Sequence, residues 1–150
     1  MVEEFLEALL RQRSLVLACK NKLHKTNQQI LSVKAMMTDQ ATGHGQSDIS
    51  ALLIRLETAR DNVRKELSLL LTMHQQGVKI IHLHPDARCR AVLIERYING
   101  SSWRHVAGTM GFKSSEWPQR VKRDALNWLE AHTPESFIPE KYRKFRESRE

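Results

Sequence analysis

A chain of 150 residues with 24 Lys and Arg against 17 Asp and Glu carries a net charge of +7 and a pI near 9.7. That length suits one domain, or a small domain plus an elongated helical arm, and the charge suits a polyanionic partner such as nucleic acid. Two distant cysteines without CxxC spacing, an acidic Met1-Val2-Glu3-Glu4 start and no apolar run of spanning length argue against a disulfide scaffold, a secretory leader and a membrane protein, and predict a reducing, cytoplasmic setting.

From Val2 to Met37 there is no proline or glycine. Val2, Phe5, Leu6, Leu9, Val16, Leu23, Ile30 and Met37 recur at helical spacing, with Arg13, Lys20, Asn27 and Lys34 interrupting. This predicts a long amphipathic helix packed against a partner helix, as a hairpin rather than a strong isolated zipper. The paired Met36 and Met37 read as packing at the helix end.

Thr42-Gly43-His44-Gly45-Gln46 predicts a polar loop, with Ser47 or Asp48 capping a second long helix. The apolar stripe of that helix runs Ile49, Leu52, Leu53, Leu56, Val63, Leu67, Leu70, Leu71 and Val78, and Gly77 either breaks the helix or is absorbed in it.

Pro85 closes the arm, because its ring and missing N–H are tolerated only in a first helical turn; a new helix is expected from Asp86. That helix should bury Ala87, Ala91, Val92, Ile94 and Tyr97 and end at Asn99-Gly100. Ser101 or Ser102 then caps a short helix from Trp103 to Met110, Gly111 turns the chain, and Ser114 or Ser115 caps the last long helix, to about Ala131. In it Trp117, Val121, Ala125 and Trp128 fall on one inward face, and Trp103, Trp117 and Trp128 are all expected to be at least half buried. Leu126 falls outward, either covered by Phe137 and Ile138 folding back or part of a partner surface. The tail Lys141-Tyr142-Arg143-Lys144-Phe145-Arg146 reads as a docked short helix or an extension.

A helix, a glycine turn and a basic second helix form the pattern of a helix-turn-helix DNA reader. Ala107 or Gly108 supplies a small residue at the crossing, Gly111 the turn, and Val106, Met110 and Phe112 the apolar lock. Gln119 and Arg123 are the expected base readers, because they present donors matched to adenine and guanine edges. Arg104, Lys113, Ser114, Ser115, Arg120 and Lys122 are the expected phosphate contacts. His82, His84 and Cys89 cluster around Pro85, but no fourth zinc ligand is evident nearby, so no metal or cofactor is expected. Paired carboxylates, a P-loop and a nucleophile triad are all missing from the sequence, which reads as no enzyme.

Ile80-Ile81-His82-Leu83, Arg90-Ala91-Val92-Leu93, Arg96-Tyr97-Ile98-Asn99-Gly100-Ser101-Ser102-Trp103, Val106-Ala107 and Ala125-Leu126 resemble the phage and prophage late-gene regulators of the RinA and ArpU kind. The C-terminal half of those regulators is similar to region 4 of bacterial sigma factors. The resemblance covers roughly Leu23 to Leu129. It departs from the pattern at Pro118 and by one extra residue between Gly111 and Ala125. It implies a transcriptional regulator in a bacterial host cell that binds double-stranded promoter or operator DNA and contacts RNA polymerase or another transcription protein. A complete sigma factor is not expected, because Phe5 is the single aromatic residue of the N-terminal half.

The expected fold is all-α: a long antiparallel two-helix arm over 1–83, a three-helix helix-turn-helix domain over 84–133 and a basic tail over 134–150. The arm would serve homodimerisation or contact with the transcription machinery. Two rivals share the fold: a DNA-packaging adaptor like a phage terminase small subunit, and a coiled-coil protein-interaction module.

Overall fold

The computed structural model describes residues 1–39 and 45–143. Among these it is all-α, with helices α1 (Val2–Asp39), α2 (Gly45–His82), α3 (Ala87–Leu93), α4 (Trp103–Met110), α5 (Glu116–His132) and α6 (Glu140–Arg143). The expected loop at 42–44 lies outside the described residues. Gly45 already belongs to α2, which puts Ser47 and Asp48 inside the helix rather than ahead of it.

The chain divides into two compact units: one of Met1–Arg13 with the chain from Leu70 onward, the other of Ser14–Leu69. The division falls inside the two long helices, whose ends carry buried apolar residues of the first unit, among them Val2, Phe5, Leu6, Leu9, Leu70, Ile80 and Ile81.

Within Ser14–Leu69, α1 turns Val16, Cys19, Leu23, Thr26, Ile30 and Val33 inward at alternating steps of three and four, and α2 answers with Ile49, Leu52, Leu56, Ala59 and Val63. This is the heptad rhythm of two helices packed side by side. The residues expected to interrupt the seam, Lys20, Asn27 and Lys34, are exposed one position to its side; the polar residue inside it is Thr26, 8% exposed, whose hydroxyl donates to the Lys22 carbonyl at 3.0 Å. Leu53 leaves the stripe for solvent, and Met36 is 72% exposed rather than packed.

In the other unit Val2, Phe5 and Leu6 of α1, Ile80 and Ile81 of α2, Leu93, Tyr97, and Ala125, Leu126 and Leu129 of α5 share one core with Ile138. Gly77 is absorbed in α2 and lets helices approach: a Cβ there would stand 2.9 Å from Leu9 Cδ1 and 3.3 Å from Ile98 Cδ1. Ile138 of the tail joins the same core as Leu126, which is 5% exposed. Tyr142 of α6 meets Phe5 edge-on at 5.4 Å, and the Gln76 amide donates to the Phe137 carbonyl. Residues 144–146 of the expected tail segment lie outside the described residues. No described helix is long and apolar enough to cross a membrane.

Candidate nucleic-acid interface

Pro85 ends α2 and Asp86 starts α3: its carboxylate accepts from the Arg88 and Cys89 N–H groups at 2.7 and 3.4 Å, satisfying two donors with no intrahelical partner. Ala87, expected inside, is exposed, since the first turn projects beyond the helices that cover Val92 and Leu93. The helix then widens to a π turn over Ile94–Ile98, the Asn99 N–H reaching back to the Ile94 carbonyl at 2.9 Å. The widened turn carries the buried Tyr97, whose hydroxyl donates to Glu7 Oε1 at 3.2 Å; burial and then the Glu7 charge push that phenol above its ordinary range.

Gly100, at φ +72°, closes this element. The Arg13 guanidinium lies against it and donates to the Ile98 carbonyl at 3.2 Å. Glu95 gathers the loop by accepting from Asn99 and Ser101 at 3.0 and 3.1 Å.

Ser102 caps α4 by accepting from the His105 N–H at 3.2 Å. Val106 and Ala107 are buried, making Ala107 the small residue of the helix pair, while Gly108 faces open space. Gly111, at φ +73°, takes the left-handed turn that ends α4, and the Phe112 N–H returns to the Ala107 carbonyl at 2.8 Å. The helix, glycine turn and helix read from the sequence are all present, and α5 packs on both α3 and α4.

Ser115 precedes α5 without a side-chain cap, so the first-turn N–H groups of α5 receive no cap from it. Pro118 is the third residue of the helix, where its missing N–H costs no intrahelical bond, and it is buried. Trp117 departs from expectation: at 53% exposed it stands outside the core, with the Arg120 guanidinium 5.4 Å from its ring centre. Pro118, Ala125, Leu126 and Leu129 form the inward face instead, rotated from the predicted one because cover comes from α1 and the tail as well as α3.

The expected site residues divide accordingly. Arg104, Lys113, Ser114, Ser115, Gln119, Arg120 and Arg123 are exposed, and Gln119, Arg120 and Arg123 share the outward side of α5 with Asn127. Lys122 does not project outward: its side chain is 23% exposed, 3.5 Å from Glu3 Oε1 and 5.6 Å from the Trp103 ring centre. Helical spacing alone reaches Asn127, one turn beyond Arg123, as an amide suited to adenine. A recess of about 220 Å³ on this side is lined by Glu3, Gln119, Lys122, Arg123, Leu126 and Asn127.

The outer side of α4 presents a second, open recess of about 520 Å³ lined by Ser102, Arg104, His105, Gly108 and Thr109. It offers hydroxyl, guanidinium and imidazole groups around a glycine, a set able to bond a phosphate backbone that comes close.

His84 is 7% exposed, accepts from the Asp86 N–H at 3.1 Å through Nδ1, and meets Trp128 edge-on at 4.9 Å. Cys89 is half-buried, its thiol pushed up by burial and then by the Asp86 and Asp124 charges. Among the described residues no three His, Cys, Asp or Glu side chains converge as metal ligands. No protein-family model matches the chain, and no curated protein or solved structure matches it either.

Proposed function

We propose that the chain is a sequence-specific DNA-binding transcriptional regulator of the phage late-gene kind, with α5 entering the major groove and α4 lying along the backbone. The observation that carries this reading is the outward side of α5. There Gln119, Arg120, Arg123 and Asn127 stand free of the core on a helix fixed by Pro118, Ala125, Leu126 and Leu129 and preceded by the Gly111 turn. Donor-bearing side chains on the second helix of such a pair are what base-edge recognition requires. The resemblance of Arg96–Trp103 and its flanks to the RinA and ArpU regulators supports the same reading, as does the +7 charge.

Selection of bound duplexes from a random pool near physiological salt, with the molar mass of the complex measured by light scattering, tests it. Enrichment of one short motif by a monomer or dimer is the expected result. A large ring without a motif would favour a packaging adaptor, and no retained DNA would favour a protein-binding scaffold.

A further inference from the structure

α5 holds a tryptophan on the side that leaves the core. Trp117 is the second residue of the helix and stands 53% exposed, while its neighbour Pro118 takes the buried place. Trp117, Arg120, Asp124 and Asn127 follow at steps of three and four residues and are all exposed, so the ring heads the outward stripe. The Arg120 guanidinium lies 5.4 Å from the ring centre, within reach of the π face. Glu116 and Asp124 stand four residues to either side of Arg120, yet among the described residues no ion pair joins it to either of them.

The surroundings of the ring decide what would cover it. A protein partner buries a patch whose centre gathers apolar and aromatic side chains and sheds charge. Trp117 has no such company: among the described residues of its unit, the other exposed large apolar side chain is Leu71, on α2. Lys113, Ser114, Ser115 and Glu116 precede it in the chain, and Gln119, Arg120, Arg123 and Asn127 follow along the helix, all exposed. One apolar group among donors matches a base pair met in the major groove, where thymine presents its O4 acceptor together with a 5-methyl group. The first turn of the second helix is also where such a pair meets base edges.

We infer that Trp117 is a specificity-determining residue, its indole packing on the 5-methyl group of one thymine. Arg120, held on the ring, loses less freedom when it bonds the DNA alongside. The inference rests on the regulator reading and adds to it a reader that works by apolar contact rather than by hydrogen bonds.

The test uses the full chain and the duplex enriched by selection, with each thymine in turn replaced by deoxyuridine. That change removes the methyl group and keeps every hydrogen-bonding atom. Affinity is read by anisotropy for the wild type, Trp117→Ala and Trp117→Phe. One replacement is expected to weaken wild-type binding about fourfold, the transfer worth of a single methyl group. Trp117→Ala should bind the thymine duplex about tenfold more weakly and no longer distinguish it from the deoxyuridine one, while Trp117→Phe keeps the distinction. Because the ring is outside the core, circular dichroism of the alanine variant should show an intact fold. The deoxyuridine series on the wild type needs no variant at all.

A wild type indifferent to every methyl group overturns the inference, as does a Trp117→Ala chain that still discriminates at the same position, or a selected motif without an A·T pair. Each of these outcomes leaves the regulator reading standing, because a motif was selected. If no motif is selected, the regulator reading and this inference fall together. A Trp117→Ala chain unchanged in affinity and preference also overturns it and returns the ring to a protein partner.

Discussion

At the residue scale, two glycines with nearly the same φ should behave differently. An L-residue in the left-handed region costs about 1–2 kcal/mol. Gly111 has open space where a Cβ would stand, so Gly111→Ala meets that cost alone. At Gly100 the same Cβ would lie 2.5 Å from Arg13 Nε, so the alanine also displaces the guanidinium that bonds Ile98. Urea unfolding should show Gly100→Ala to be the more destabilising, and equal effects would mean that the Arg13 contact contributes nothing. His74 makes a pH prediction. Burial and then the Arg13 charge lower its pKa, and its buried Nε2 finds no hydrogen-bond partner among the described residues. As pH falls below about 6.5, the ordinary histidine value, the unfolded chain takes up a proton that the folded chain resists. Stability is therefore full above that value and declines as pH falls toward the lowered one. His74→Gln should flatten the decline between pH 6.5 and 5, measured by urea midpoints.

At the scale of the element, starts and stops were legible where a single side chain makes them: Asp86 caps α3, Ser102 caps α4, and Gly100 and Gly111 take the left-handed conformation; the starts of α2 and α5 were not, since Ser47 and Asp48 lie inside α2 and Ser115 makes no side-chain cap. The side of a helix that faces inward was less legible. A 3.6 period fixes which residues share a face but not how many neighbours cover it. Helical spacing placed Trp117, Val121, Ala125 and Trp128 inward; cover from α1 and the tail as well as α3 rotates the buried face of α5 toward Pro118, Leu126 and Leu129 and releases Trp117. The same rotation turned Lys122 onto Glu3 and Trp103, a pairing invisible to any local pattern because it joins residues 119 apart. The α5 residues should accordingly separate into two groups. Arg123→Ala and Asn127→Ala are expected to lower affinity for a selected duplex by about 1–3 kcal/mol each and to relax its base preference. Lys122→Ala should leave base preference intact and cost about 0.2–1 kcal/mol of stability through the lost ion pair and ring contact. Loss of preference in Lys122→Ala alone would return it to the reading face.

For the molecule as a whole, the helix-turn-helix is not closed by its own three helices. Leu93, Tyr97, Ala125 and Leu129 complete their packing with Val2, Phe5 and Leu6 from one end of the chain and Ile138 from the other. Val2 N–H and Glu130 Oε2, 128 residues apart, bond at 2.8 Å, so a carboxylate of α5 caps α1. Such contacts leave no mark in a local window, which explains why the arm and the reader looked separable in sequence. They also make a strong prediction. Phe5 is fully buried, and the core it belongs to includes none of the residues proposed to contact DNA, yet truncating a buried phenylalanine costs about 3–5 kcal/mol, against a typical total of about 5–15 for a native protein. Phe5→Ala should therefore cut the stability of this unit by about a fifth or more and abolish motif-specific binding at temperatures where the wild type still binds. Binding should return on cooling, since α5 itself is unchanged. Leu17→Ala, at a side chain 54% exposed in the arm, should do neither. Melting followed by circular dichroism, with anisotropy on the selected duplex at the same temperatures, decides the matter. A Phe5→Ala chain as stable as wild type would show that the reader folds without the end of α1, and a fragment spanning 84–133 should then fold and bind unaided.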